Sequence, residues 1–301
     1  MRVGAKEKVV SLDEAVGLIP DGASVAIGGH TMRRHPMALV RAIARAHRRD
    51  LHLMGWNNGI DMDLLLGAGC ATTVETSYIG ISGAGLARNY RRAAESGELR
   101  VIEHSETTGI DMFRAGAIGL GFFPSRTPLG SSLMDHNPNL VRMEDPFTGD
   151  PYAAVRAARP DVAIIHAHTA DRFGNVQLDS AQWHDNSLDP LIARSADTVI
   201  VSVEQIVSPD AVRANPLQTV LPRDLVTAVV ELPYGAHPCC CDARYDYDLD
   251  HIAAYYAATA SADAFQDWLA EWVDGPGSHD AYLEKLGARS VLELTTRRSV
   301  A

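Results

Sequence analysis

Short apolar runs alternate along this chain with longer stretches of helical period, and that alternation restricts the fold more than any other feature. Runs at 24–27, 51–54, 73–79, 99–103, 162–166, 198–203 and 228–232 are each long enough for one buried strand. Between and beyond them, 12–18, 36–45, 61–68, 87–96, 112–120, 188–193 and 250–258 read as helices. Strands joined through helices pair in parallel, and a parallel sheet needs cover on both faces. The expected fold class is α/β, a mostly parallel sheet flanked by helices. Loops rich in Pro and Gly at 123–130 and 137–151 interrupt the pattern. The second is the expected lobe boundary, or a small meander, within a single domain spanning 1–301. The stretch 261–286 is helical in pattern, with Phe265, Trp268, Leu269 and Trp272 forming a stripe that suits core or subunit contact.

The first run leads into Gly28-Gly29-His30-Thr31-Met32-Arg33-Arg34-His35-Pro36. Glycine at a strand's carboxyl end lets backbone N–H groups approach an anion or a thioester oxygen, because no Cβ intervenes. The turn is thus either a ligand-binding loop or a plain tight turn. The spacing Asp21-Gly22, two residues, Val25-Ala26-Ile27, Gly28-Gly29 and later Pro36 resembles the signature of the α-subunits of family I coenzyme A transferases. His30 stands where that family usually has Phe, and Arg34 where it usually has Gly. Segments 161–167, 234–238, 245–248 and 279–288 are similar to the α-type subunits of glutaconate CoA-transferases, which extends the resemblance over nearly the whole chain.

The resemblance implies a CoA transferase-like fold, a β-type partner in an α2β2 assembly and a composite active site. Acyl-CoA and a small carboxylic or dicarboxylic acid would be the substrates, with coenzyme A a substrate and no cofactor. In the family the nucleophilic glutamate lies on the β-subunit, in a Ser-Glu-Asn-Gly motif. This chain contains no such motif; Asn57-Asn58-Gly59 comes nearest and offers no carboxylate. Gly28 and Gly29 are expected to donate to an oxyanion or thioester. Arg34, Ser82 and Gly83 are candidates for holding a substrate carboxylate, and His30 and His237 for lining the substrate or CoA site.

Three other stretches follow strands. Gly80-Ile81-Ser82-Gly83-Ala84-Gly85 precedes an Arg-rich helix, where it is an anion contact or a turn. His166 and His168 stand on nearly opposite sides where a buried strand ends, either lining a pocket or satisfied by nearby backbone. Pro233-Tyr234-Gly235-Ala236-His237-Pro238 fixes an irregular backbone. Glu106, in His104-Ser105-Glu106-Thr107-Thr108-Gly109, falls near the glutamate of the α-like subunit in steroid ring-cleaving CoA-thioester hydrolases, enzymes that resemble CoA transferases. There it would act as a general base; an α-like subunit of a glutaconyl-CoA-type decarboxylase is a related alternative. A solvated carboxylate at a strand end is the ordinary reading.

Composition narrows the partners. The chain has 301 residues, 46% hydrophobic and 22% charged, with a formal net charge of −11. That balance argues against a nucleic-acid surface. No run of about 18 apolar residues suggests a membrane span, and the opening residues lack the apolar region of a signal peptide, so a cytoplasmic protein is expected. A sensor of this fold would need a DNA-reading module ahead of residue 24, where there is no room for one. Cys70 is isolated and Cys239-Cys240-Cys241 are consecutive, which suits buried thiols better than one metal site, even with His237 and His251 nearby.

Overall fold

The computed structural model describes residues 6–178 and 188–296. Its main sheet runs in the order Ala228–Glu231, Thr198–Val207, Val162–Asp171, Ser24–Ile27, Leu51–Met54, Ala71–Thr76, Arg100–Glu103, with every neighbouring pair parallel. The first of these strands in sequence lies in the middle, and the order reverses between it and Val162–Asp171. Two short antiparallel strands, Val176–Gln177 and Thr219–Leu221, extend the sheet beyond Val162–Asp171. The architecture is the mostly parallel sheet with helical cover that the alternation predicts.

One sheet face presents Val25, Ile27, Leu51, Leu53 and Val74 to the helices Met37–Arg45 and Ile60–Gly67. Leu39, Val40 and Ile43 on the first helix are wholly buried there. Each contributes about 1.5–3 kcal/mol of apolar burial. The opposite face, through Ala26, Met54 and Ala163, meets Met112 and Phe113 of the helix Glu106–Ala117 and Ile192 of Leu188–Ser195. A three-stranded antiparallel meander, Phe122–Ser125, Leu140–Glu144 and Pro151–Arg156, packs Ala153 and Val155 onto the same cluster. It accounts for the loops rich in Pro and Gly.

Two boundaries differ from expectation in ways that matter. The helix expected at 112–120 begins at Glu106, because Ser105 accepts from Thr108 N while Thr108 Oγ1 accepts from Ser105 N. That reciprocal cap starts a helix through Thr107, Thr108 and Gly109, which are weak helix formers. The strand expected to end at His166 continues to Asp171, with all ten residues buried. His166 and His168 therefore share one face of a continuing strand, not opposite sides of its end. Phe265, Trp268 and Leu269 pack into this chain's own core against Tyr255, which answers the choice between core and subunit contact for those three.

Candidate active site

Ligands of open α/β sheets collect beyond the carboxyl ends of the strands. Four adjacent strands here deliver polar or aromatic side chains to that edge. His30 follows Ser24–Ile27, Trp56 and Asn57 follow Leu51–Met54, Ser77 follows Ala71–Thr76, and Glu106 follows Arg100–Glu103. Asn57 Nδ2 donates to Glu106 Oε1 at 2.9 Å and lies 3.3 Å from His30 Nε2. Ser77 Oγ sits 3.2 Å from Asn57 Oδ1, so the carbonyl end of the amide faces a donor and its NH2 end faces Glu106 and His30. The His30 ring lies against Trp56, centroids 4.8 Å apart, and Trp56 Nε1 donates to the Glu106 carbonyl at 3.1 Å.

Each member is held by local structure. The loop after Gly29 turns back on itself, with His30 and Arg33 exchanging backbone hydrogen bonds and Thr31 N donating to Asn57 O at 2.6 Å. Asn57 belongs to the two-residue strand Asn57–Asn58, paired in parallel with Tyr78–Ile81. Glu106 is the first residue of its helix, where the positive end of the helix dipole favours a carboxylate. Asn57 is buried, His30 and Trp56 are half-buried, and Glu106 is exposed. Among the described residues the cluster is an open half-site: an oriented, exposed carboxylate beside an imidazole and an indole.

Of the residues singled out in the sequence, Glu106 and His30 come together here and the others do not. The N–H groups of Gly28 and Gly29 are already engaged, donating to Ile164 O at 2.9 Å and Asp189 Oδ1 at 2.8 Å. They are not open oxyanion donors in this conformation. The glycines are required for another reason. A Cβ on Gly28 would lie 2.8 Å from Asp189 Oδ1, and Gly29, at φ +93°, would place one 2.7 Å from Arg33 O. Substitution at Gly29 therefore breaks the turn before it tests any donor.

Arg34 is 1% exposed and donates to Asp189 Oδ2 at 2.8 Å and to the His166 carbonyl at 3.0 Å, with Asp242 Oδ2 3.9 Å from its Nε. Arg34 is thus buried and held by Asp189 beside the crevice where the strand order reverses. Ser82 and Gly83 stand at the exposed tip of the Tyr78–Ile81/Gly85–Leu86 hairpin, tied to the C-terminal helices through Tyr256 Oη and the Ala84 carbonyl, 2.9 Å apart. His237 is buried between Tyr282 Oη, 2.7 Å from its Nδ1, and Asp248 Oδ2, 3.0 Å from its Nε2. It belongs to the packing of the C-terminal helices. His166 pairs with Ser202 and Glu204, and Glu204 also accepts from Tyr245 Oη and Tyr234 N. His166, Glu204 and Cys241 lie close enough to suggest a metal site. These hydrogen bonds already occupy the imidazole and both carboxylate oxygens, and burial holds the Cys241 thiol well above its ordinary pKa. Cys70, Cys239 and Cys240 are buried too.

Burial also keeps three histidines neutral. Desolvation, aided by neighbouring positive groups, pushes His168 and His251 down to about 3 and His279 to about 4, against 6.5 for the free side chain. Between those values the unfolded chain binds more protons than the folded one. Stability is thus fully present above the unfolded pKa and is lost as pH falls below it. Lowering the pH from 7.5 to 5.5 should remove about 1 kcal/mol per histidine. Urea midpoints at the two pH values measure this, and equal midpoints would refute it.

Asn57, Trp56 and Ser77 were missed as site residues in the sequence. For Trp56 and Asn57 the signal was present, since both lie just past the run at 51–54; Ser77 was hidden inside the run expected at 73–79, which the structure breaks after Thr76.

The sequence and the fold are similar to those of known proteins. The family model described as coenzyme A transferase matches residues 9–232. One of the subunits of the glutaconate CoA-transferase of Acidaminococcus fermentans is 33% identical, covering 95% of this chain and 94% of its own length. The crystal structure of glutaconate coenzyme A-transferase from that organism superposes with a TM-score of 0.91 at 33% identity, over 95% of each chain. The cholesterol ring-cleaving hydrolase IpdA subunit of Rhodococcus jostii is 31% identical over 93% of this chain and 96% of its own. An uncharacterized protein of Archaeoglobus fulgidus is 36% identical over 97% of this chain, which spans only 65% of that longer protein. No described helix is long and apolar enough to cross a membrane.

Proposed function

The chain belongs to the coenzyme A transferase family, and from that premise we propose that it is the α-type subunit of an enzyme moving CoA between an acyl-CoA thioester and a small carboxylic or dicarboxylic acid. The observation that carries the reading is the open half-site at the strand ends. It offers polar and aromatic contacts to a substrate from one side, on a backbone that superposes on a glutaconate CoA-transferase chain over 95% of its length. A β-type partner, in an α2β2 assembly, closes the other side and brings the nucleophilic carboxylate. Four buried, unpaired cysteines suit the reducing cytoplasm.

In the proposed reaction the partner's carboxylate attacks the thioester carbonyl and expels CoA thiolate, leaving an acyl-glutamyl anhydride. The thiolate attacks the glutamyl carbonyl, the first acid departs as carboxylate, and the incoming acid takes CoA by the reverse steps. No proton need move between carbon centres. Glu106 is then a positioning residue: it fixes the Asn57 amide, and through it His30, beside the thioester.

One observation favours a second reading. The 2.9 Å bond from Asn57 orients a solvent-facing carboxylate, as a general base requires, and the IpdA relative is named a ring-cleaving hydrolase. Glu106→Gln separates the two. Its amide oxygen still accepts from Asn57, so transfer should persist within about tenfold. Loss of a general base would instead cost about 10²–10⁴-fold. The assay follows free acid and transferred CoA together in the assembled complex. A collapse of both replaces transfer with hydrolysis as the function.

A further inference from the structure

A polar cavity of about 380 Å³ lies between the main sheet and the meander. Its sheet side runs along the strands from Ser24 and Arg100 to Met54 and Glu75, and it shares no lining residue with the Glu106 cluster. Its size falls in the range of small-molecule sites.

The charges around it are unequal. Arg100, Arg156 and Arg159 line it and are exposed; Arg159 donates to the Leu120 carbonyl, and the other two carry no ion pair among the described residues. The single lining carboxylate, Glu75, is 4% exposed and is answered within the protein. Its Oε1 accepts from Asn139 Nδ2 at 2.6 Å and lies 3.0 Å from His104 Nε2, and its Oε2 is 3.3 Å from His52 Nε2. Although burial alone would raise its pKa, the hydrogen bond to His104 and the nearby His52 ring hold it down to about 2, so the carboxylate stays ionised and balanced. What the cavity offers a ligand is three arginines in its lining, with its one carboxylate already compensated. Guanidinium binds carboxylate and phosphate oxygens in paired hydrogen bonds, and three of them match more than one negative charge.

We propose that this cavity binds a small dianion, a compound carrying two carboxylates or a phosphate, through Arg100, Arg156 and Arg159. The site is separate from the Glu106 cluster and does not depend on which reaction that cluster serves.

Isothermal titration of the full-length chain, alone and again in complex with its β-type partner, tests it at low salt. Succinate and inorganic phosphate are the two probes, with acetate as the monoanion control. Saturable binding of at least one dianion is expected in both states, tighter than acetate. Which probe binds separates carboxylate from phosphate recognition. Arg100→Ala with Arg156→Ala should weaken that binding by about tenfold or more. Both arginines are exposed, so the fold persists, and circular dichroism verifies this. Arg156→Ala alone should give an intermediate loss. Absence of saturable binding, or equal binding in the double variant, overturns the proposal. Binding lost on assembly also overturns it, since the cavity is then part of a subunit interface.

Discussion

Arg34→Met is expected to destabilise the fold by about 3–5 kcal/mol, because it leaves the Asp189 carboxylate buried without its cation. Both side chains are almost fully shielded from water, at 1% and 2% exposure, and their 2.8 Å contact lies beside the glycine turn. Asp189 also accepts from Gly29 N, so the loss would spread into the loop that carries His30. Methionine has nearly the length of arginine, so the effect is largely electrostatic. Changing Asp189 to Asn in the same protein removes the orphaned charge yet keeps an oxygen for Gly29 N–H, and should recover part of the loss. Urea denaturation of the single and double variants measures the coupling. A destabilisation below about 1 kcal/mol, with a raised KM instead, would return Arg34 to the role of a substrate contact.

The centre of the sheet was legible because a parallel strand buried on both faces writes itself as a short apolar run. Ser24–Ile27 and Leu51–Met54 fall where those runs predict. The start of the helix at Glu106 was not legible, since Thr107, Thr108 and Gly109 have low propensity and the cap that overrides them uses Thr108 where a capping box usually has Glu or Gln. Glu106 and His30 could be nominated from their places after strands. The bond that joins them through Asn57 spans three separate strand ends, and nothing local in the sequence encodes it. Arg34 and His237 failed for a related reason. A charged residue in a loop after a strand reads as a ligand contact until its partner is known, and Asp189 lies 155 residues from Arg34. His237 sits in an irregular loop, yet Asp248 and Tyr282 enclose it from later helices.

The proposed division of labour predicts that this chain alone transfers CoA at a rate lower than the assembled complex by on the order of 10⁴-fold or more, the scale of losing a nucleophile. His30, Asn57 and Glu106 would still hold their geometry, because every bond among them is made within the chain. The most direct test is to mix the assembled complex with acyl-CoA, quench it before the acceptor acid is added, and map both polypeptides by peptide mass spectrometry. A glutamyl-CoA thioester on the β-type partner, with Glu106 unmodified, is the result predicted. A CoA adduct on Glu106, or acyl-CoA consumed to free acid with neither polypeptide modified, would contradict it.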